Sequence, residues 1–202
     1  MWVGFAQQWH WLDVIDRSTL DVLHTFGVAH PGWVASWDVF CTVLGPAAFR
    51  LVTVAVIVVA LIWRNVRTAV FLVISVELSG LLTEAAKAAA NRPRPAEALA
   101  YASSTSFPSG HALGVMVGVL ALLTVVLPVV RRPLRVWLIA LGAVVVVAIG
   151  AGRVVLNVHH VSDVLAGWAL GYVWFVLCVL LAPPVAPITA ADETPVAPGS
   201  SR

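Results

Sequence analysis

The polar residues that could do chemistry fall into three short clusters. In the first, Lys87 precedes the segment Arg92-Pro93-Arg94-Pro95, whose prolines stop a helix and stiffen the turn after it. Two or three cations are therefore held at one helix end, where guanidinium groups can pair with phosphate oxygens. The residue types alone do not choose between Arg92 and Arg94. Side chains that reach from a helix end towards water are the structural alternative.

The second cluster, Pro108-Ser109-Gly110-His111, has the composition of a helix start. A helix N-terminus presents free N–H groups and the positive end of the helix dipole, so it suits an anion. Ser109 adds a hydroxyl donor, Gly110 lets a ligand approach the backbone, and His111 can reach what the N–H groups hold. A Ser-Pro helix start with an incidental histidine is the structural alternative.

The third cluster contains Arg153, His159 and Asp163. Residues four apart share one helix face, so Asp163 is predicted to hold one ring nitrogen of His159 and to raise the basicity of the other. Such an imidazole is a prepared nucleophile. A helix-stabilising pair is the structural alternative. His160 lies about 100° around the helix from His159 and is predicted to be interfacial or to lie behind the site.

The composition of the chain explains why these clusters stand out. Of its 202 residues, 60% are hydrophobic and 11% are charged, whereas soluble domains carry about 25% charged residues. Lipid is therefore the expected solvent, and ionisable groups placed within it are functional candidates. The net charge of +2 gives no indication of a nucleic-acid partner. Taken together, the three clusters predict one phosphate-binding site.

Five apolar segments are long enough to cross a bilayer, which takes about 20 residues. They indicate an all-α integral membrane bundle with about five transmembrane helices at residues 33–63, 68–90, 109–130, 133–152 and 160–181. The first segment is predicted to break near Gly45-Pro46. Residues 5–30 include Asp13, Asp16 and Arg17, which are costly at bilayer depth, yet their apolar residues recur at helical spacing. This pattern favours an amphipathic helix lying in the membrane interface.

The domain organisation follows from these segments. We divide the chain into an interfacial helix and loop (1–32), a transmembrane bundle (33–182) and a tail rich in Pro and Ala (183–202) that is predicted to be disordered. Arginines between the first and second spans, and between the third and fourth, place those loops in the cytoplasm. The N-terminus and the three clusters then face outward from the plasma membrane, and the C-terminus is cytoplasmic. The oligomeric state is left open.

The two cysteines, Cys41 and Cys178, lie inside apolar segments and are predicted to be buried free thiols rather than a disulfide. The histidine, acidic and cysteine residues show no further spacing typical of metal ligands. We therefore expect no metal and no other cofactor.

The three motifs resemble the signature of the type 2 phosphatidic acid phosphatases, which reads K-x6-R-P, P-S-G-H and S-R-x5-H-x3-D. The matching residues of this chain are, in order, Lys87 and Arg94-Pro95, Pro108-Ser109-Gly110-His111, and Gly152-Arg153 with His159 and Asp163. Three spaced motifs in the right order form a specific signal. The family spacing selects Arg94 and leaves Arg92 as an auxiliary cation.

The resemblance implies a metal-independent phosphatase that transfers the phosphoryl group of a lipid to its own histidine. His159 would attack phosphorus, Asp163 would hold its other nitrogen, and His111 would protonate the leaving group and later activate water. The groups expected to hold the phosphoryl oxygens are Lys87, Arg94, Ser109, Gly110 and Arg153.

The chain departs from the family pattern in two places. Gly152 stands where the family usually has serine, so a hydroxyl near the phosphate is missing; the backbone N–H could serve instead, and activity is expected to survive. Integral members usually have six spans, and the first has no counterpart here. The helix over residues 5–30 is predicted to replace it, which leaves open the shape of the groove that admits the lipid.

The leading functional hypothesis is a hydrolase that acts on an isoprenoid diphosphate, phosphatidylglycerophosphate or phosphatidate at the outer face of the membrane. A phosphotransferase that passes the phosphoryl group to an alcohol would use the same residues. A non-catalytic lipid-binding relative is the third alternative, which the presence of both His159 and Asp163 disfavours.

Overall fold

The computed structural model describes residues 2–7 and 9–184, and this part of the chain is helical without any strand. In chain order the helices are α1 (Trp2–Ala6), α2 (His10–Ala29), α3 (Pro31–Val43), α4 (Pro46–Ile62), α5 (Val66–Leu72), α6 (Ser79–Ala90), α7 (Gly110–Val126), α8 (Arg132–Val155) and α9 (Val161–Leu181). A π-helical turn, Val73–Glu77, joins α5 to α6 without a break in the rod.

Four of the helical rods are long and apolar enough to cross a membrane: Pro31–Ile62, Val66–Ala90, Arg132–Val155 and Val161–Leu181. Helix α7 is apolar but only 17 residues long, shorter than the predicted 109–130. The predicted all-α membrane bundle is confirmed. The predicted break near Gly45-Pro46 is also present, since α3 ends at Val43 and α4 begins at Pro46, where a proline's missing N–H costs nothing.

Helix α7 lies at the centre of the bundle and packs against α4, α8 and α9. Its contact with α9 is close because two glycines of α9 face it. A Cβ on Gly167 would lie 2.6 Å from the carbonyl oxygen of Ser109, and a Cβ on Gly171 would lie 2.9 Å from that of Leu113. Small residues four apart allow two helix backbones to approach in this way. The Ser109 N–H consequently donates to the carbonyl of Asp163 at 3.0 Å, which joins the second and third sequence clusters.

Helix α2 packs along α8 and α9 through one buried face that contains Leu12, Asp16, Leu20 and Gly27. It is held there in part by Asn157, whose side-chain amide donates to the carbonyl of Leu20 at 3.1 Å. The predicted amphipathic helix is therefore present. Its position in the membrane interface, and the division of the chain into three parts, stay predictions. Asp16 lies on the buried face of this helix, where it is only 1% exposed.

The two cysteines are free and buried, as predicted. Residues 185–202, the greater part of the tail that was predicted to be disordered, lie outside the described residues.

Candidate active site

The three sequence clusters meet at one end of the bundle, where α6 and α8 end and α7 and α9 begin. Between these helix ends lies a cavity of about 230 Å³. Six of the eight predicted site residues line it: Lys87, Arg94, Gly110, His111, Arg153 and His159. The other two, Ser109 and Asp163, lie directly behind its wall and are fully buried.

The Lys87 side of the cavity follows from the way α6 ends. Lys87 lies in the last turn of α6, and Asn91 closes the helix in the left-handed conformation at φ 44°. The chain then runs back over the cavity, so that the Lys87 ammonium donates to the hydroxyl of Ser104 at 2.5 Å. Ser104 thereby joins the site, although it belongs to none of the three motifs.

Arg94 points into the cavity, whereas Arg92 points away from it. Nη1 of Arg94 donates to the carbonyl of Val158 at 2.6 Å and lies 3.3 Å from Nε2 of His159. Burial and the nearby Arg153 hold the pKa of Arg94 below its ordinary value, but a guanidinium keeps its proton in proteins. The structure therefore places a fixed positive charge beside the imidazole, at the position that the family spacing selects.

At the start of α7, the position of the Ser109 hydroxyl differs from the prediction. The Ser109 hydroxyl accepts from the backbone N–H of Ala112 at 3.5 Å as the N-cap of the helix, and it does not line the cavity. Gly110 does line it. A Cβ on Gly110 would lie 3.1 Å from Cγ2 of Thr83, so glycine lets the helix start approach α6. At this helix start, Gly110 and His111 line the cavity, and the serine hydroxyl does not.

His111 and Arg153 also line the cavity. The break between α3 and α4 makes room for the imidazole, since a Cβ on Gly45 would lie 3.3 Å from Nε2 of His111. Arg153 lies in the last turn of α8 with 6% of its surface exposed. Its Nε is buried and has no hydrogen-bond partner among the described residues. An arginine donor that is buried in a cationic cavity and lacks an acceptor fits a site for an anion.

His159 is almost fully buried, with 1% of its surface exposed. Burial lowers the pKa of His159 to about 4, against the opposing effect of the Asp163 carboxylate. The imidazole is therefore neutral near pH 7, as a nucleophile must be. Its Nδ1 lies 3.6 Å from Oδ2 of Asp163, which is longer than a hydrogen bond. The predicted histidine–carboxylate pair is close, but its geometry is looser than expected.

The Asp163 carboxylate has several other donors. Oδ1 accepts from Nη1 of Arg92 at 2.7 Å, and Oδ2 accepts from the backbone N–H of His160 at 2.8 Å and from the hydroxyl of Ser106. Nδ1 of His160 lies 3.1 Å from Oδ2. His160 thus lies behind the site, which is one of the two positions predicted for it. These bonds fix the carboxylate in place beside His159.

A second buried carboxylate supports the first from the N-terminal helix. Oδ2 of Asp16 accepts from Nη2 of Arg92 at 3.0 Å and from the hydroxyl of Ser162 at 2.5 Å, while Oδ1 accepts from the Ser162 N–H at 3.0 Å. Arg92 therefore bridges Asp16 and Asp163. We call Asp16, Arg92, Ser106, Ser162 and Asp163 the buried network. The signal for Asp16 was in the sequence, because Leu12, Asp16 and Leu20 lie four apart on one helix face.

Comparisons with known proteins show which family the chain belongs to. A family model described as the PAP2 superfamily matches residues 68–185. The chain belongs to the PAP2 superfamily. Phosphatidylglycerophosphatase B of Bacillus subtilis (strain 168) is 33% identical over 141 residues, which cover 67% of this chain and 69% of that protein. A solved transmembrane PAP2-type phosphatidylglycerolphosphate phosphatase from Bacillus subtilis matches with a TM-score of 0.73 at 22% identity, over 93% of this chain and 95% of that chain.

These findings confirm the family that the motifs predicted, and they identify the chain as a multi-pass membrane protein of a phosphatase family. The family model begins at residue 68, so it does not include α2 and Asp16. Helix α2 and its bonds to Arg92 and Ser162 therefore lie outside the residues that the family model matches.

The glycine in the third PAP2 motif has a packing explanation. A Cβ on Gly152 would lie 2.5 Å from Sγ of Cys41 and 2.8 Å from Cε3 of Trp37, so α3 occupies the space that a side chain would need. The expected substitute, the backbone N–H of Gly152, lies inside α8, where helix hydrogen bonding uses such groups. Neither a hydroxyl nor that N–H reaches the cavity from residue 152.

Proposed function

We propose that this chain is a membrane lipid phosphatase that removes the terminal phosphate of phosphatidylglycerophosphate. The observation that carries the proposal is the cavity in which a buried, neutral His159 lies among the cations of Lys87, Arg94 and Arg153. The substrate is inferred from the name of the curated Bacillus subtilis relative. A phosphate monoester carries about −1.5 to −2 charge at pH 7, which these three cations balance.

The proposed reaction has two steps. Nε2 of His159 attacks phosphorus, and the N–P bond forms as the bond to the glycerol oxygen breaks. The negative charge of the bound phosphate stabilises the protonated form of His111, which gives that oxygen its proton. Water then attacks the phosphohistidine, His111 takes a proton from the water, and the N–P bond breaks to release inorganic phosphate. The cations and the free N–H groups at Gly110 stabilise the charge on the phosphoryl oxygens in both transition states.

Asp163 is proposed to orient His159 rather than to take its proton. The carboxylate is already held by Arg92, Ser106 and the His160 N–H. It is thus a fixed acceptor 3.6 Å from Nδ1 of the imidazole, and the two come within hydrogen-bond distance when the site tightens around the substrate. A fixed partner keeps one tautomer in place and leaves Nε2 unprotonated towards the phosphate. It also stabilises the positive charge that the ring acquires when its Nε2 bonds to phosphorus.

The outer face of the plasma membrane is proposed as the site of the reaction. The cavity lies at the ends of α6 and α8 and the starts of α7 and α9. The arginines at 64, 67, 131, 132 and 135 lie at the opposite ends of these helices or in the turns that join them. The positive-inside bias assigns the arginine side to the cytoplasm, which leaves the cavity outside.

The test is phosphate release from phosphatidylglycerophosphate by the purified chain in detergent with a metal chelator. We expect release by the native chain and its loss in His159→Ala. Radiolabelled substrate should also leave an acid-labile phosphoprotein when the reaction is stopped quickly. Equal release by the variant would contradict the nucleophile assignment. Label that appears on an added alcohol, instead of in inorganic phosphate, would indicate a phosphotransferase, and no release at all would indicate a non-catalytic relative.

A further inference from the structure

A second groove adjoins the cavity on the membrane side. It has a volume of about 440 Å³ and lies between α4 and the rod formed by the π-helical turn and α6. Its polar lining consists chiefly of Arg50, Glu77, Thr83, Glu84 and Lys87. Lys87 and Gly110 line both this groove and the catalytic cavity. A molecule whose phosphate lies in the cavity can therefore extend into the groove.

Arg50 is the cation of this groove that the proposed reaction does not use. It lies in α4, inside a membrane span, and is half-buried. Its guanidinium rests on the backbone of α6, since a Cβ on Gly80 would lie 2.5 Å from Nη2 of Arg50. Charged side chains at such positions are costly unless they are paired.

The described residues give Arg50 no close anionic partner. Glu77 is near enough to act on it electrostatically, but no ion pair within 4.0 Å and no side-chain hydrogen bond joins the two. Oε1 of Glu77 is itself buried without a hydrogen-bond partner among the described residues. Among the described residues, the groove thus holds an arginine without an ion pair within 4.0 Å and a carboxylate oxygen without a donor.

The spacing of the two cations limits what can bind both. Gly80, which lies under Arg50, is seven residues before Lys87 on α6, or about 10 Å along the helix axis. A single ligand that binds both cations must therefore carry two anionic groups, one at Arg50 and a phosphate at Lys87, joined by a linker and not bonded directly to each other. Glu77 and Glu84 flank the groove. Their carboxylates can accept hydrogen bonds from hydroxyl groups of a ligand. They repel its anionic groups, except where these lie against Arg50 or Lys87.

We propose that Arg50 binds the phosphodiester of phosphatidylglycerophosphate while the terminal phosphate lies in the catalytic cavity. This inference rests on the proposed function. The glycerol between the two phosphates then crosses the groove, and its free hydroxyl donates to a carboxylate. Phosphatidate has a single phosphate, and an isoprenoid diphosphate has two that share one oxygen without a hydroxyl between them. Arg50 therefore selects the glycerol-bridged lipid over both.

The test compares kcat/KM for phosphatidylglycerophosphate and phosphatidate in mixed micelles for the native chain and Arg50→Gln. Losing a charge-assisted hydrogen bond predicts about a tenfold lower kcat/KM for phosphatidylglycerophosphate, mainly through KM. The value for phosphatidate should stay within about twofold. Arg50→Lys should restore part of the difference. Arg67→Gln removes an exposed cation at the far end of the bundle and should leave kcat/KM for both substrates unchanged.

A second variant tests the position of the guanidinium without removing it. Gly80→Ala places a methyl group 2.5 Å from the position of Nη2, which forces the guanidinium to move. It should therefore shift selectivity in the same direction by a smaller factor. A parallel loss for both substrates in Arg50→Gln would mean that Arg50 serves the fold, and this overturns the inference. The inference is also overturned if Arg50→Gln leaves the selectivity unchanged. The same holds if Arg50→Gln lowers kcat/KM for an isoprenoid diphosphate and not for phosphatidylglycerophosphate. If the native chain does not hydrolyse phosphatidylglycerophosphate, the proposed function itself fails.

Discussion

The two sides of the cavity are built in different ways. On the side of α9, His159 lies beside Asp163 of the buried network, in which every carboxylate oxygen of Asp16 and Asp163 accepts a hydrogen bond. On the side of α6, the Lys87 ammonium has one hydrogen-bond partner among the described residues, Ser104. The adjoining groove contains Arg50 and Glu77 without a hydrogen bond between them. A nucleophile needs fixed orientation, whereas cations that bind a mobile lipid can find their acceptor in the substrate.

This difference predicts that the two sides respond differently to mutation. Changes on the α9 side remove bonds that the folded protein makes for itself, so they lower both stability and activity. Changes on the α6 side remove groups whose partner is the substrate, so they lower activity alone.

Asp163→Asn should give the largest combined effect. It keeps the shape of the side chain but leaves Arg92 opposite a neutral group and replaces an acceptor near Nδ1 of His159. We expect activity to fall about 10³-fold, within the range for loss of acid–base support. Removing one partner of a buried pair should also destabilise the fold by about 3 kcal/mol. Phosphate release and thermal unfolding in detergent measure the two effects, and an unchanged unfolding midpoint would contradict the structural role of the network.

Lys87→Met should lower kcat/KM by about 10²-fold, because it removes one of the groups that stabilise the phosphoryl oxygens. The unfolding midpoint should stay near that of the native chain, since the folded protein loses only the bond to Ser104 and no longer buries an ammonium. The same two measurements apply. If Lys87→Met unfolds as readily as Asp163→Asn, the contrast between the two sides is wrong.

Asp16→Asn should have the smallest effect of the three, about tenfold in kcat with KM unchanged, as expected for residues coupled through one network. Asp16 does not line the cavity, so it does not contact the substrate. It acts by holding Arg92 in place against Asp163. Asp13→Asn is the matched control, because Asp13 lies one turn earlier and pairs with Arg17 on the exposed face of α2. Equal effects in the two variants would show that Asp16 only maintains the helix.

The sequence predicted those features that depend on local patterns. Apolar runs locate the spans, and motif spacing identifies Arg94, His111 and His159, which the structure brings to one cavity. Features that depend on tertiary packing were missed. Ser104 lies in an irregular segment, where no sequence periodicity predicts its position. The Ser109 hydroxyl, predicted to bind phosphate, instead serves as the N-cap of α7. The sequence pairs Asp163 with His159, but only the three-dimensional arrangement brings Arg92 and Ser106 to the same carboxylate.

The packing around Gly152 also constrains how this chain can change over evolutionary time. Cys41 and Trp37 fill the space beside residue 152, so the serine typical of the family cannot return by a single substitution without displacing them. Restoring it requires a smaller residue on α3 first or at the same time. The identity of residue 152 is therefore inherited together with those of residues 37 and 41, and lineages of this chain that regain the serine must carry altered partners.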